Sequence, residues 1–180
     1  MTDVAPRHTG SPATSDAHAA RYDELAALAG GSHPRFDRAF RTRLHVLDDG
    51  WLSLTELDDD FHSMRVALRI APDGTITAAA GKMLRHPFDT CPRAIEALAS
   101  VVGSTVARPG AHNQIKERMP RDEGCLHIAD MLTVAFRAFR IAKGHDIPWE
   151  YKGEESRRTF LTMMPNIRDT CVSFAIAHDD

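Results

Sequence analysis

HSMRVALRI, residues 62–70, alternates Met64, Val66, Leu68 and Ile70 with Ser63, Arg65, Ala67 and Arg69, the two-residue period of a strand with one buried face. His62 is in phase with the buried set. Ala71-Pro72-Asp73-Gly74 follows with tight-turn chemistry, and TITAAAGKML, residues 75–84, reads as the returning strand. Upstream, AFRTRLHVL (39–47) and WLSLTEL (51–57) flank Asp48-Asp49-Gly50, a second hairpin signal. The stretch predicts an antiparallel meander of about four strands.

Beyond it the period becomes helical. TCPRAIEALASVVG places Thr90 as an N-cap, Pro92 in the first turn and Gly103 as the stop, with Ile95, Leu98, Val101 and Val102 apolar. A loop containing Pro109, Gly110 and Pro120 leads to GCLHIADMLTVAFRAFRIAKG. There Cys125, Ile128, Leu132, Ala135, Phe136 and Phe139 share a stripe before Gly144. Strands followed by helices predict an α+β fold with two long helices packed on one face of the sheet. Residues 1–20 carry almost no large apolar side chain and are expected to be a disordered tail, with one α+β domain over 21–180. ARYDELAALAG reads as a short helix, residues 145–180 as irregular, and CVSFAIA as a late edge strand.

The 180 residues carry a formal charge of −3 with both signs intermixed, so neither nucleic acid nor a membrane surface is an expected partner. No run approaches the roughly 18 apolar residues of a membrane span, and the N-terminus has no signal-peptide pattern. The expected location is cytoplasmic. The expected partners are a small-molecule substrate and a second copy of the chain in a homodimer.

Three cysteines, Cys91, Cys125 and Cys171, are too few and too odd in number for a disulfide framework. Cys91 and Cys125 each open a helix, where unpaired N–H groups and the positive end of the helix favour a thiolate. If both helix starts meet the sheet near the start of the third strand, Cys91, Cys125 and His62 gather as ligands of zinc or iron. Asp60, His86 and His127 are the candidates for proton transfer. On an ideal helix His127 lies about 200° around from Cys125, so the two share an ion only if Cys125 still belongs to the loop. Otherwise His127 bonds to Asp130 or caps the helix. The competing reading makes the cysteines small core residues and His62 a neutral core histidine. Cys171, after a loop, is the least constrained thiol. No G-x-S-x-G, Walker or G-x-G-x-x-G pattern is present.

Arg41-Thr42-Arg43, DDGWLSLTELDD, HSMRVALRIAPDGTI, HPFDTCP and above all GCLHIADML together resemble a bacterial domain-of-unknown-function family with a Gly-Cys-Thr-His-Leu helix start. The resemblance covers roughly residues 40–175. It departs from the family pattern at Ser63, where Asp is common, and at Leu126, where Thr is common. More distantly, strands followed by a cysteine at each of two helix starts look like the iron–sulfur cluster scaffold fold of the NifU/IscU type. That likeness implies His62, Cys91 and Cys125 as cluster ligands, with Asp60 or His62 in place of the scaffold's first cysteine.

Three functions follow as expectations. The first is a small-molecule enzyme with a metal- or thiol-based site. The second is a sulfur or iron–sulfur carrier or assembly accessory holding an iron–sulfur cluster. The third is a non-catalytic binding module with core cysteines.

Overall fold

The computed structural model describes residues 12–107, 111–119, 123–143 and 154–163. Two compact units divide the chain, Met1–Asp37 and Arg38–Asp180. The first contains helix α1 (Pro12–Ala27), so the stretch expected to be disordered to residue 20 is helical from Pro12. Its side chains from Asp16 to Ala27 are exposed, which is why no apolar stripe betrayed it.

The second unit is built on β1 (Arg38–Leu47), β2 (Gly50–Asp59), β3 (Ser63–Ile70) and β4 (Ile76–Arg85), paired antiparallel in sequence order. The meander is therefore as its alternation and hairpin signals require. On β2 the face turned to the core carries Trp51, Ser53, Thr55, Leu57 and Asp59, and on β3 Met64, Val66, Leu68 and Ile70 lie beside them. The polar residues of β2, not Leu52 and Leu54, are the buried ones, because register rather than hydropathy sets the face.

A 3₁₀ helix, Cys91–Val101, packs on β4. Gly81 makes the approach close, since a Cβ there would stand 2.9 Å from the Leu98 side chain. The expected Thr90 cap is not made: Thr90 is in the αR region and its side chain bonds to no helix N–H. After Gly103 (φ 80°) the chain returns along the start of β4, where Ile76 N–H reaches the Ser104 carbonyl at 2.8 Å.

A further helix, α2 (Ala111–Arg118), occupies the stretch expected to be a loop. Helix α3 (Leu126–Lys143) then lies across β1, β2 and β3, burying Ile128, Met131, Leu132, Ala135, Phe136 and Phe139. Helix α4 (Glu154–Met163) falls in a segment expected to be irregular. The expected late strand CVSFAIA lies outside the described residues. Among the described residues no helix is long and apolar enough to cross a membrane.

Candidate functional site

The site grows from the β2–β3 turn. Asp59 ends β2, and its Oδ1 accepts the backbone N–H groups of Phe61 (2.8 Å) and His62 (2.7 Å), which folds Asp60, Phe61 and His62 into a tight connection. The same carboxylate stands 3.0 Å from Nδ1 of His62. An ionised carboxylate only accepts, so Nδ1 of His62 carries the proton and donates it there. Nε2 is left as the open nitrogen, with no hydrogen-bond partner among the described residues.

Strand register brings the cations in. Arg38 pairs across β1 and β2 with Asp59, and its Nε and Nη2 both reach Asp59 Oδ2, at 2.8 and 2.7 Å. Arg85 pairs with Ser63 across β3 and β4 and donates to the backbone carbonyls of Asp59 (2.5 Å) and His62 (3.3 Å). The Asp59 side chain is fully buried. Burial alone would push its carboxyl up, but the N–H of Phe61, the guanidinium of Arg38 and the two N–H groups of His62 outweigh it. They hold the carboxyl far below the usual carboxylate range.

The first turn of α3 closes the other side. The helix begins at Leu126, one residue later than the apolar stripe suggests, so Cys125 is its N-cap and accepts the Ala129 N–H on its carbonyl at 3.1 Å. That single residue reunites Cys125 with His127: Sγ is 3.7 Å from Nδ1. On its far side His127 Nε2 lies 3.1 Å from Nη2 of Arg38. A guanidinium has no acceptor, so Nε2 of His127 is bare and the proton sits on Nδ1, aimed at the cysteine sulfur. Burial, then the neighbouring His62 and Arg38, press the His127 pKa below its ordinary value, which keeps this neutral form in place. The His62 and His127 rings meet with centroids 4.1 Å apart and planes 43° from parallel.

The structure thus brings His62, His127 and Cys125 together but leaves the other expected residues outside. Asp60 is exposed in the turn, and the buried carboxylate is Asp59, one residue earlier. His86 lies in the loop after β4, its Nδ1 donating to the Phe88 carbonyl at 2.9 Å. Cys91 opens the 3₁₀ helix over β4, whereas Cys125 opens the helix that crosses β1 to β3. Among the described residues no three His, Cys, Asp or Glu side chains are grouped so as to hold a metal ion, and Cys91, Cys125 and His62 are not such a group. In the central cluster Arg38 takes the lone pair of His127, so Cys125 Sγ and His62 Nε2 are the donors left open.

Arg38, Asp59 and Arg85 were not expected from sequence. Asp59 did carry a signal: it keeps the parity of Leu57 and Thr55 and precedes His62 by three residues. Chemically the arrangement is an Asp-His pair presenting one basic nitrogen, beside a thiol that receives a hydrogen bond from a second, neutral histidine.

No curated protein and no solved structure matches this chain. Residues 36–140, which include every member of the cluster, match the family described as Protein of unknown function (DUF2889). With more than half of its 180 residues matched, the chain belongs to the DUF2889 family.

Proposed function

We propose that the protein is a thiol-dependent enzyme acting on a small molecule, with Cys125 as nucleophile and His62 Nε2 as general base. One observation carries this reading: the His62 ring, pinned through Nδ1 to Asp59, lies against the ring of His127, whose own Nδ1–H is turned to Cys125. A carboxylate that fixes tautomer and orientation while the opposite nitrogen stays open is the arrangement a general base requires. The thiolate is the attacking form of cysteine, and the Cys125 sulfur stands at the start of α3 with the N–H of His127 turned to it. Asp59 is too fully engaged to move protons itself, so its role is positioning.

Cys91 provides an internal control, being another half-buried free thiol at a helix start. Brief treatment with iodoacetamide followed by peptide mass spectrometry is expected to alkylate Cys125 well before Cys91, and His127→Ala is expected to erase the difference. Equal alkylation rates at the two cysteines in the unaltered protein would remove the reading.

A further inference from the structure

The first turn of α3 leaves the backbone N–H groups of Leu126, His127 and Ile128 without an acceptor among the described residues. The earliest helical bond is that of Ala129 to Cys125, and the turn holds no acidic side chain. Cys125 stands at the N-cap, yet its sulfur bonds to His127 Nδ1 rather than to these N–H groups, so it does not fill the position a Ser or Asp cap would occupy. A second feature points to the same place. The His62 side chain is only 10% exposed, its Nε2 bonds to no described residue, and its ring lies 4.1 Å from that of His127 in this same turn. The His62 ring and the Cys125 sulfur therefore both lie against His127, at a helix mouth whose first N–H groups have no acceptor among the described residues.

Resting on the nucleophile reading above, we propose that this mouth is an acyl-transfer centre for small esters or thioesters, in which the Leu126 N–H receives the oxyanion formed when Cys125 attacks. The N–H of the residue that follows a nucleophile is a recurrent oxyanion donor, and a fixed donor there costs no reorganisation as charge develops. In the first half-reaction the Cys125 proton passes to His62 Nε2. The sulfur then adds to the carbonyl carbon, the bond from that carbon to the leaving oxygen or sulfur breaks, and His62 returns the proton to the departing group. In the second, His62 takes a proton from water as its oxygen adds to the acyl carbon, the carbon–sulfur bond breaks, and His62 returns that proton to the departing sulfur to restore the thiol. The sum is ester plus water giving acid plus alcohol or thiol, with no redox partner. Phe61 and Leu126, the chain neighbours of His62 and Cys125, are 58% and 67% exposed, which suits an apolar acyl group.

The test uses the full chain with p-nitrophenyl acetate and with the S-acetyl derivative of N-acetylcysteamine. Peptide mapping after quenching is expected to find an acetyl group on Cys125. Leu126→Pro removes one N–H while supplying the backbone angle favoured at a first helical position, so the helix is kept. It is expected to lower kcat/KM roughly 100-fold, the usual loss of one oxyanion donor, with iodoacetamide alkylation of Cys125 retained. His62→Gln, which leaves α3 untouched, is expected to slow both the appearance of acetyl-Cys125 and its hydrolysis, because one nitrogen serves both half-reactions. Rapid alkylation of Cys125 without any acetyl transfer to it would overturn the acyl-transfer assignment alone. Unaltered turnover in Leu126→Pro would overturn the oxyanion role, and a Cys125 no faster than Cys91 toward iodoacetamide would overturn the nucleophile reading beneath both.

Discussion

Helix α3 meets the sheet differently at its two ends. At its C-terminal end Phe139 stands edge-on to Trp51, ring centroids 5.5 Å apart, in the same apolar core as Ile70 and Ile76, which are almost wholly buried. At its N-terminal end His127 meets His62 and Arg38 over a buried Asp59. One end is held by shape and apolar area, which many side chains supply. The other is held by directional bonds in which each donor has a designated acceptor, so a wrong partner misplaces a proton as well as losing energy. The difference separates what keeps the unit folded from what gives it chemistry.

Phe139→Ala tests the apolar end and has the largest expected effect on stability, a loss of about 3–5 kcal/mol in urea unfolding as the ring is replaced by a cavity. The relative alkylation of Cys125 and Cys91 is expected to be unchanged. A fall in Cys125 reactivity matching the fall in stability would show that the two ends are not separable.

Asp59→Asn tests the polar end. The amide keeps an acceptor for the turn but leaves Arg38 beside a neutral group in a buried site, and a loss of about 3 kcal/mol is expected in the same unfolding assay, the lower end for a broken buried pair. Its distinguishing mark is chemical. The amide N–H₂ permits the other His62 tautomer, so proton transfer by Nε2 is lost and acetyl-Cys125 turnover drops far more than in Phe139→Ala. Equal turnover in the two variants would dissolve the contrast between the ends.

The apolar half was legible in the sequence and the polar half only in part. Alternation along residues 62–70 and two Gly-containing turns determine the meander, because a one-residue slip would turn every apolar side chain outward. The same rule selects Asp59 among Asp58, Asp59 and Asp60, since Asp59 keeps the parity of Leu57, but the turn between β2 and β3 breaks the alternation there and gives Asp60 no face to be read from. Arg38 carries no local mark at all; only its pairing with Asp59, twenty-one residues on, gives it a role. Cys125 lies one residue before the helix although it is in phase with the apolar stripe, because the stripe extends past the first hydrogen-bonded turn. The 3₁₀ form of residues 91–101 and the short α2 were hidden because capping and periodicity signals do not distinguish such variants of a helix.

A smaller effect is expected with pH. His127 has a folded pKa below its ordinary 6.5, so between that value and its folded one the unfolded chain binds more protons, and stability rises with pH. The contribution is complete above about 6.5 and is lost as pH falls through the folded value. Asp59, held far below 3.8, contributes fully above about 4 and keeps part of its effect into strong acid. Urea unfolding across pH 5–7 is expected to show a decline toward acid that His127→Gln flattens. An identical slope in the variant would place the sensitivity elsewhere.

The smallest effect marks where one end gives way to the other. Thr42 and Thr55 face each other across β1 and β2 with hydroxyls 3.0 Å apart, midway along the core face between Asp59 and Trp51. Replacing either by Val strands one hydroxyl and is expected to cost about 1 kcal/mol, whereas replacing both keeps the shape and is expected to be nearly neutral. A double-mutant cycle by urea unfolding measures the coupling. Near neutrality would assign the middle of the sheet to the shape-governed half, because the pair then contributes no more than the methyl groups that replace it. A double variant that loses several times the single cost, together with Cys125 reactivity, would instead extend the polar network from Asp59 through Thr55, drawing the boundary closer to Trp51.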